Sequence, residues 1–303
     1  MAMTVDSETS PPAGWLSGAS GDQVGLRDFG EWRGRPVEIA GTWSDNNEAM
    51  VGLWEMRSDG GFSDWDGPLD VAIGAIGEDE TWEQAAEGEY DRRWRESLTN
   101  LRDLRADRPG TTYIRFAHEM NGNWYDWKVT EENHEAFTEA WRRFRQLQER
   151  IYPEAQLVFC VNRESVDTGM DWREFFPGAR YVDVMAVDYY NRGPAVDSDE
   201  EWAESMDDTD GWGAPKGLQA HLDFARSVGL PLAVPEWSGD ASEGDSPAYV
   251  RGMYGFFEDH GGDGAGELLY EIQFNMDKDD KNWGFFDPYT RMPDSAALYQ
   301  DLW

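Results

Sequence analysis

One cysteine, four lysines and four histidines are all that 303 residues contain of these types. A lone Cys160 excludes any intramolecular disulfide, and its place in the apolar run 157–161 marks it as a small buried hydrophobe rather than a nucleophile. No apolar run approaches the ~20 residues of a membrane-spanning helix. The segment 1–10 has neither the basic nor the apolar region of a secretory leader. The expectation is therefore an extracellular protein whose leader is absent from this chain, or a cytoplasmic one if no leader exists. Several site signatures are missing as well. His118-Glu119 has no second histidine four residues on, as a zinc helix requires, and Gly262-x-Gly264-x-Gly266 precedes a strand instead of opening a helix, which argues against a dinucleotide site. Asp277, Asp279 and Asp280 lack the spacing of a calcium-binding hand, and no Asn-x-Ser/Thr acceptor occurs. Neither cofactor nor metal is expected.

What the chain has in excess is acid. Asp and Glu number 61 against 26 Lys and Arg, for a formal net charge of −35. Nucleic acid and anionic membrane surfaces are excluded as partners by that balance. The acids are spread through the chain among ordinary aromatic core residues, so disorder is not indicated. Lysine stands only at Lys128, Lys216, Lys278 and Lys281, and arginine supplies the rest. The pattern resembles proteins of extreme halophiles, in which salt screens the self-repulsion of a compact fold.

Strand-like and helix-like stretches alternate. Strands are predicted at 15–20, 37–43, 71–76, 112–118, 156–162, 182–188, 231–236 and 268–274, with helical spacing over 82–105, 134–151, 217–227, 246–260 and 294–302. Eight strands separated by crossovers point to α/β class and a single (β/α)8 barrel over residues 13–303, after a flexible tail at 1–12. The polar stretch 196–213 reads as an excursion above the barrel.

In such a barrel the chemistry gathers at the C-terminal strand ends. The fourth strand ends in His118-Glu119, followed by Asn121, Gly122, Trp124 and Trp127; the seventh ends in Glu236-Trp237. A pair of carboxyls facing each other across the mouth, with indoles nearby, suits sugar cleavage: one donates a proton while the other attacks, roughly 5–5.5 Å apart in a retaining site. Arg115, on the same strand as Glu119, can reach the floor and favour the ionised partner. Neighbours on a strand face opposite ways, so either Tyr189 or Tyr190 faces inward.

The run R-F-A-H-E-M-N-G-N-W-Y-D-W (115–127) resembles the acid/base signature of glycoside hydrolase family 26, which has His before the acid where related barrels have Asn. The runs A-A-E-G-E-Y-D (85–91), Y-V-D-V-M-A-V-D-Y-Y-N (181–191) and E-I-Q-F-N (271–275) resemble further segments of that family. The resemblance implies Glu119 as acid/base, Glu236 as nucleophile in a P-E-W-S-G context looser than usual, and Tyr190 as the residue bonded to the nucleophile. It also implies that His118 orients the pair or binds sugar. Trp124, Trp127, Trp237 and Trp283 are candidate stacking surfaces, and Trp43, Asn275, Asp188 and Arg115 complete the candidate substrate-binding set. The implied activity is an endo-acting retaining β-glycanase, a monomer whose partner is a polysaccharide. β-1,4-Mannan is the first choice, with mixed-linkage β-glucan and β-1,3-xylan open and a carbohydrate-binding pseudoenzyme as the rival.

Salt adaptation makes a direct prediction. The urea unfolding midpoint should rise between about 0.1 and 1 M NaCl, as the screening length falls from ~10 to ~3 Å; a flat or falling midpoint would contradict it.

Overall fold

The computed structural model describes residues 14–276 and 283–303, so the expected tail at 1–12 and the aspartates at 277, 279 and 280 lie outside the described residues. The chain runs β1 (Leu16–Ser20), α1 (Gln23–Arg33), β2 (Ile39–Ser44), α2 (Ala49–Gly52), β3 (Leu69–Ile73), α3 (Trp82–Glu87), α4 (Asp91–Arg105), β4 (Thr112–Phe116), α5 (His134–Ile151), β5 (Gln156–Asn162), β6 (Val184–Tyr190), α6 (Asp199–Ser205), α7 (Leu218–Val228), β7 (Leu232–Ser238), α8 (Pro247–His260), β8 (Leu268–Gln273) and α9 (Pro293–Leu302). Each strand pairs in parallel with the next, and β8 returns to β1 with Leu16 opposite Tyr270, closing a (β/α)8 barrel.

Strand alternation sorts the apolar residues into two cores. Ile39, Tyr113, Val158, Cys160, Val184, Ala186 and Tyr270 fill the barrel interior, while a larger layer packs between barrel and helices. On β4 the outward Phe116 stacks on Phe144 of α5 at 3.9 Å and meets Trp94 of α4 edge-on at 5.2 Å. Inside, space is short: a Cβ at Gly18 would come within 2.1 Å of the Ile39 carbonyl oxygen.

The single helix expected over 82–105 is two. Gly88 adopts φ 91°, a conformation glycine takes without strain, and its N–H donates to Ala85 O at 3.0 Å, ending α3. Helix α1 was not expected from the sequence, although Asp22 caps it by accepting from Gly25 N at 2.6 Å. The 196–213 excursion contains α6, capped by Ser198.

One irregularity sets up the site. Between Ala186 and Asp188 of β6 the partner strand β7 advances from Ala233 to Glu236, three residues against two. Pro235, which has no N–H for a ladder, lies in this bulge, and the extra residue turns Glu236 into the barrel.

Trp94 is fully buried and its indole N–H donates to Ala75 O at 3.0 Å. Trp94→Ala should lower unfolding free energy by about 3–5 kcal/mol, whereas Trp54→Ala, at a position 53% exposed, should stay within about 0.5 kcal/mol. Urea denaturation of both variants checks the contrast.

Candidate active site

Strand β4 brings Arg115 to the interior and then breaks two residues earlier than expected. Ala117 and Glu119 both take φ 52°, uncommon for residues with a Cβ. Such positions cost about 1–3 kcal/mol each and persist where the surroundings hold them. Here Ala117 N donates to Ile73 O at 3.1 Å and Glu119 N to Cys160 O at 2.9 Å. Asn121 ties the turn to β5, donating to Asn162 O at 2.9 Å and accepting from Asn162 N at 2.7 Å. Glu119 is thereby lifted over the mouth, where Trp124 Nε1 donates to its Oε2 at 2.9 Å. Gly122 is needed for that contact, because a Cβ there would lie 2.4 Å from the folded-back Trp124 ring.

Glu236 is held by donors on both oxygens. Its Oε1 accepts from Arg115 Nη1 at 2.6 Å and from Trp43 Nε1 at 2.7 Å, and its Oε2 from the Tyr190 hydroxyl at 2.8 Å. Beneath it Arg115 also pairs with Asp70 at 2.6 Å and Asp188 at 3.2 Å, and Tyr270 donates to Asp70 at 2.7 Å. Glu119, Glu236, Trp124, Tyr125, Tyr190 and Trp283 line one cavity of about 270 Å³, with Arg192 and Phe274 at its rim. Trp124 and Tyr125 also border a neighbouring cavity of about 540 Å³ under the loops after β2 and β3.

The two carboxyls are displaced in opposite directions. Burial, with the charge of Glu236 added, pushes Glu119 up to about 8. Burial also opposes ionisation of Glu236, but the charges of Arg115 and His118 and the hydrogen bonds from Arg115 and Tyr190 outweigh it, leaving Glu236 below the ordinary carboxylate value. Asp188, wholly buried and close to the Glu236 charge, is raised well above its ordinary value. At neutral pH the site thus offers one protonated and one ionised carboxyl in a shared cavity, the combination acid-assisted displacement at a sugar needs. Among the described residues no group of three or more His, Cys, Asp or Glu is arranged to hold a metal ion.

The other expected residues divide sharply. Of the tyrosine pair, Tyr190 faces the mouth, while Tyr189 faces outward and its carbonyl accepts from Tyr249 at 2.6 Å. Trp124 is 47% exposed at the rim, and Trp283 stands edge-on to Tyr190 at 4.9 Å. Trp43 is half-buried and acts through its N–H on Glu236. Trp237 is not a stacking surface: the bulge that turns Glu236 inward sends the next side chain outward, where it is fully buried against Phe257, Phe285 and Trp303. Trp127 lies beneath Tyr125, stacked at 4.2 Å and donating to His118 O; it lines the neighbouring cavity, while the half-buried Tyr125 presents the aromatic edge to the cavity between the carboxyls. His118 is buried behind Tyr125, its Nε2 3.0 Å from that hydroxyl. Arg115 and Asp188 are wholly buried and touch carboxylates and guanidinium, not the cavity surface. Asn275 braces the last loop, accepting from Phe286 N and donating its own N–H to Ser20 Oγ. Sequence reasoning missed Tyr125, although it sits inside the 115–127 run, and Asp70, an acid on the inward face of an apolar strand. It missed Arg192 too, for which there was no signal beyond its spacing from Tyr190.

The electrostatic coupling can be tested. Glu236→Gln removes the neighbouring charge but leaves the burial, so the pKa of Glu119 should fall while staying above the ordinary carboxylate value. Carboxyl-carbon NMR titration of the variant and the parent checks this, and an unchanged pKa would show that the two groups do not sense each other.

Comparison with known proteins comes to the same barrel. Residues 89–207 match glycosyl hydrolase family 26. Over 203 residues the chain is 27% identical to mannan endo-1,4-beta-mannosidase A and B of Caldalkalibacillus mannanilyticus, covering 59% of this chain and 38% of that protein. Over 147 residues it is 24% identical to endoglucanase H of Acetivibrio thermocellus, covering 47% of this chain and 15% of that protein. The chain therefore spans well under half the length of these curated relatives. In fold it is similar to the GH26 beta-mannanase of Bacteroides ovatus, with a TM-score of 0.62 at 14% identity over 96% of this chain and 88% of that one. The matched segment holds Glu119 and Tyr190 but not Glu236, and the solved structure shares the (β/α)8 fold.

Proposed function

We propose that this chain is a retaining endo-β-glycanase that hydrolyses β-1,4-mannan, working as a salt-adapted monomer outside the cell. The observation that carries the reading is the pair of buried carboxyls in one cavity with oppositely displaced pKa values. Glu119 protonates the glycosidic oxygen as Glu236 attacks the anomeric carbon, giving a glycosyl-enzyme. Glu119, now ionised, takes a proton from water, which attacks the same carbon from the other side and releases Glu236. The clamp on Glu236 favours attack over base catalysis. A general base must accept a proton during turnover, whereas a carboxylate fixed by Arg115, Trp43 and Tyr190 is stabilised as an anion and leaves readily as one. Trp124 and Trp283 provide apolar faces for sugar rings on either side of the pair.

Mannan is preferred because the similar proteins named above include mannan-cleaving enzymes. Mixed-linkage β-glucan and β-1,3-xylan are the alternatives within the family. The proposed chemistry takes no cofactor. Incubation at molar salt with these three polysaccharides, followed by product sizing, should release short oligosaccharides from mannan. Binding without new reducing ends would instead make the protein a carbohydrate-binding one.

Three further outcomes follow from the mechanism. Proton NMR early in the reaction should show the β-anomer first; initial α-anomer would mean inversion. Glu119→Gln should lower kcat by about 10²–10⁴-fold on unactivated substrate. The kcat/KM profile should fall as pH rises through about 8, where Glu119 loses its proton. Its acid limb should lie below the ordinary carboxylate value, where Glu236 becomes protonated.

A further inference from the structure

Among the described residues lining the two cavities at the barrel mouth, Arg192 is the basic one, on a chain whose acids outnumber its bases 61 to 26. Its placement is built from several sides. Tyr190, two residues earlier, points at Glu236, and Asn191 between them turns the other way, with its N–H on Ser238 O at 3.0 Å and its amide on Val196. The alternation of β6 thus carries one residue pair past its end and aims Arg192 at the cavity. Arg163 fixes the backbone there, donating to Tyr190 O at 3.1 Å and Arg192 O at 2.9 Å. Behind the side chain, the fully buried Asp240 pairs with Arg192 Nε at 3.0 Å, and the guanidinium lies 5.5 Å from the centre of the Trp283 ring. Only the Nε edge is engaged. The two terminal nitrogens make no hydrogen bond to a described residue, and the side chain is 62% exposed.

Building on the glycanase reading, we infer that Arg192 is a substrate-binding residue that donates its free fork to adjacent hydroxyls of the sugar seated between Trp283 and the two carboxyls, and that the enzyme takes neutral chains. A guanidinium ion-paired with Asp240 and lying beside Trp283 is restrained, so less rotamer freedom is lost when its fork binds paired oxygens. A carboxylate would also fit a fork, but the local charge argues against it. Asp240 offsets the Arg192 charge from behind, and Asp45, Glu48, Glu78 and Asp126 border the adjoining cavity with no basic residue among its lining. A uronate would enter a region of like charge; a neutral sugar would not.

The test compares wild type, Arg192→Ala and Arg192→Lys at molar salt on mannohexaose, on mannan and on carboxymethylated mannan, with thermal unfolding of each. Arg192→Ala should raise KM for mannohexaose by about ten- to hundredfold with kcat little changed, the mark of an interaction made equally in ground and transition states. Arg192→Lys should recover part of that loss, since it keeps the charge without the fork. Melting temperatures should match, and carboxymethylation should slow wild type. An unchanged KM in Arg192→Ala overturns the assignment, as does a loss that appears only on the carboxymethylated chain. A wild type that cleaves none of mannan, mixed-linkage glucan or β-1,3-xylan overturns the glycanase reading itself, and this inference with it; a wild type that cleaves while Arg192→Ala equals it overturns this inference alone.

Discussion

The structure turns on a single guanidinium at the barrel floor. Arg115 has no exposed surface and meets three carboxylates, those of Asp70, Asp188 and Glu236. With Glu119 above, four acids gather around the Arg115 guanidinium in a region nearly closed to water. Burial works against ionising all of them, and Asp70, Asp188 and Glu119 are each raised above the ordinary carboxylate value. Which one ionises is decided by donors. Among the described residues, Glu236 has Arg115, Trp43 and Tyr190 as donors, whereas Glu119 has Trp124 on one oxygen. The asymmetry between a proton donor and an anion is therefore a property of how one arginine is divided, not of either glutamate alone.

Geometry reinforces the electrostatics through two departures from regular strand structure. The left-handed residues at Ala117 and Glu119 lift one carboxyl over the mouth, and the bulge at Pro235 turns the other inward. Both departures are held by hydrogen bonds from neighbouring segments. Ala117 N still reaches Ile73 O, and Asn121 replaces the missing strand contacts to β5 with side-chain ones. Local strain is tolerated because the closed barrel leaves those segments nowhere else to go.

Much of this was legible in the sequence, for identifiable reasons. Strand β5 and helix α5 were read with their observed bounds because each has one strong period and clear ends. The barrel followed from counting alternations. The single helix over 82–105 failed at Gly88, whose left-handed turn outweighs the apolar spacing on either side. Strand-end indoles were the weakest reading, because a residue's facing depends on the register of its strand. Trp237 follows an inward Glu236 and so must face the helices, a consequence of a bulge that no residue pattern announces apart from Pro235. Asp70 illustrates the converse. An acid in the middle of Leu69–Ile73 can survive there only with a buried partner, yet nothing in the local sequence says that the partner is Arg115, 45 positions on.

The choice of arginine over lysine follows from the same geometry. Arg33 donates to Ser17, Tyr299, Arg35 and Pro36, and Arg105 to the carbonyls of Trp65, Gly67 and Gly110 and to Thr112. A planar group with five donors can tie several chain segments at once; an ammonium on a flexible stem cannot. Arg33, Arg105 and Arg115 are thus committed beneath the barrel and at its floor, and among the described residues lining the cavity between the carboxyls Arg192 is the basic one. That distribution matters for Glu119. A bare cation beside it would favour the ionised form and remove the proton it has to donate. Arg192, the arginine that reaches the cavity among the described residues, carries Asp240 at its back, so it can offer hydrogen bonds there without supplying an uncompensated charge.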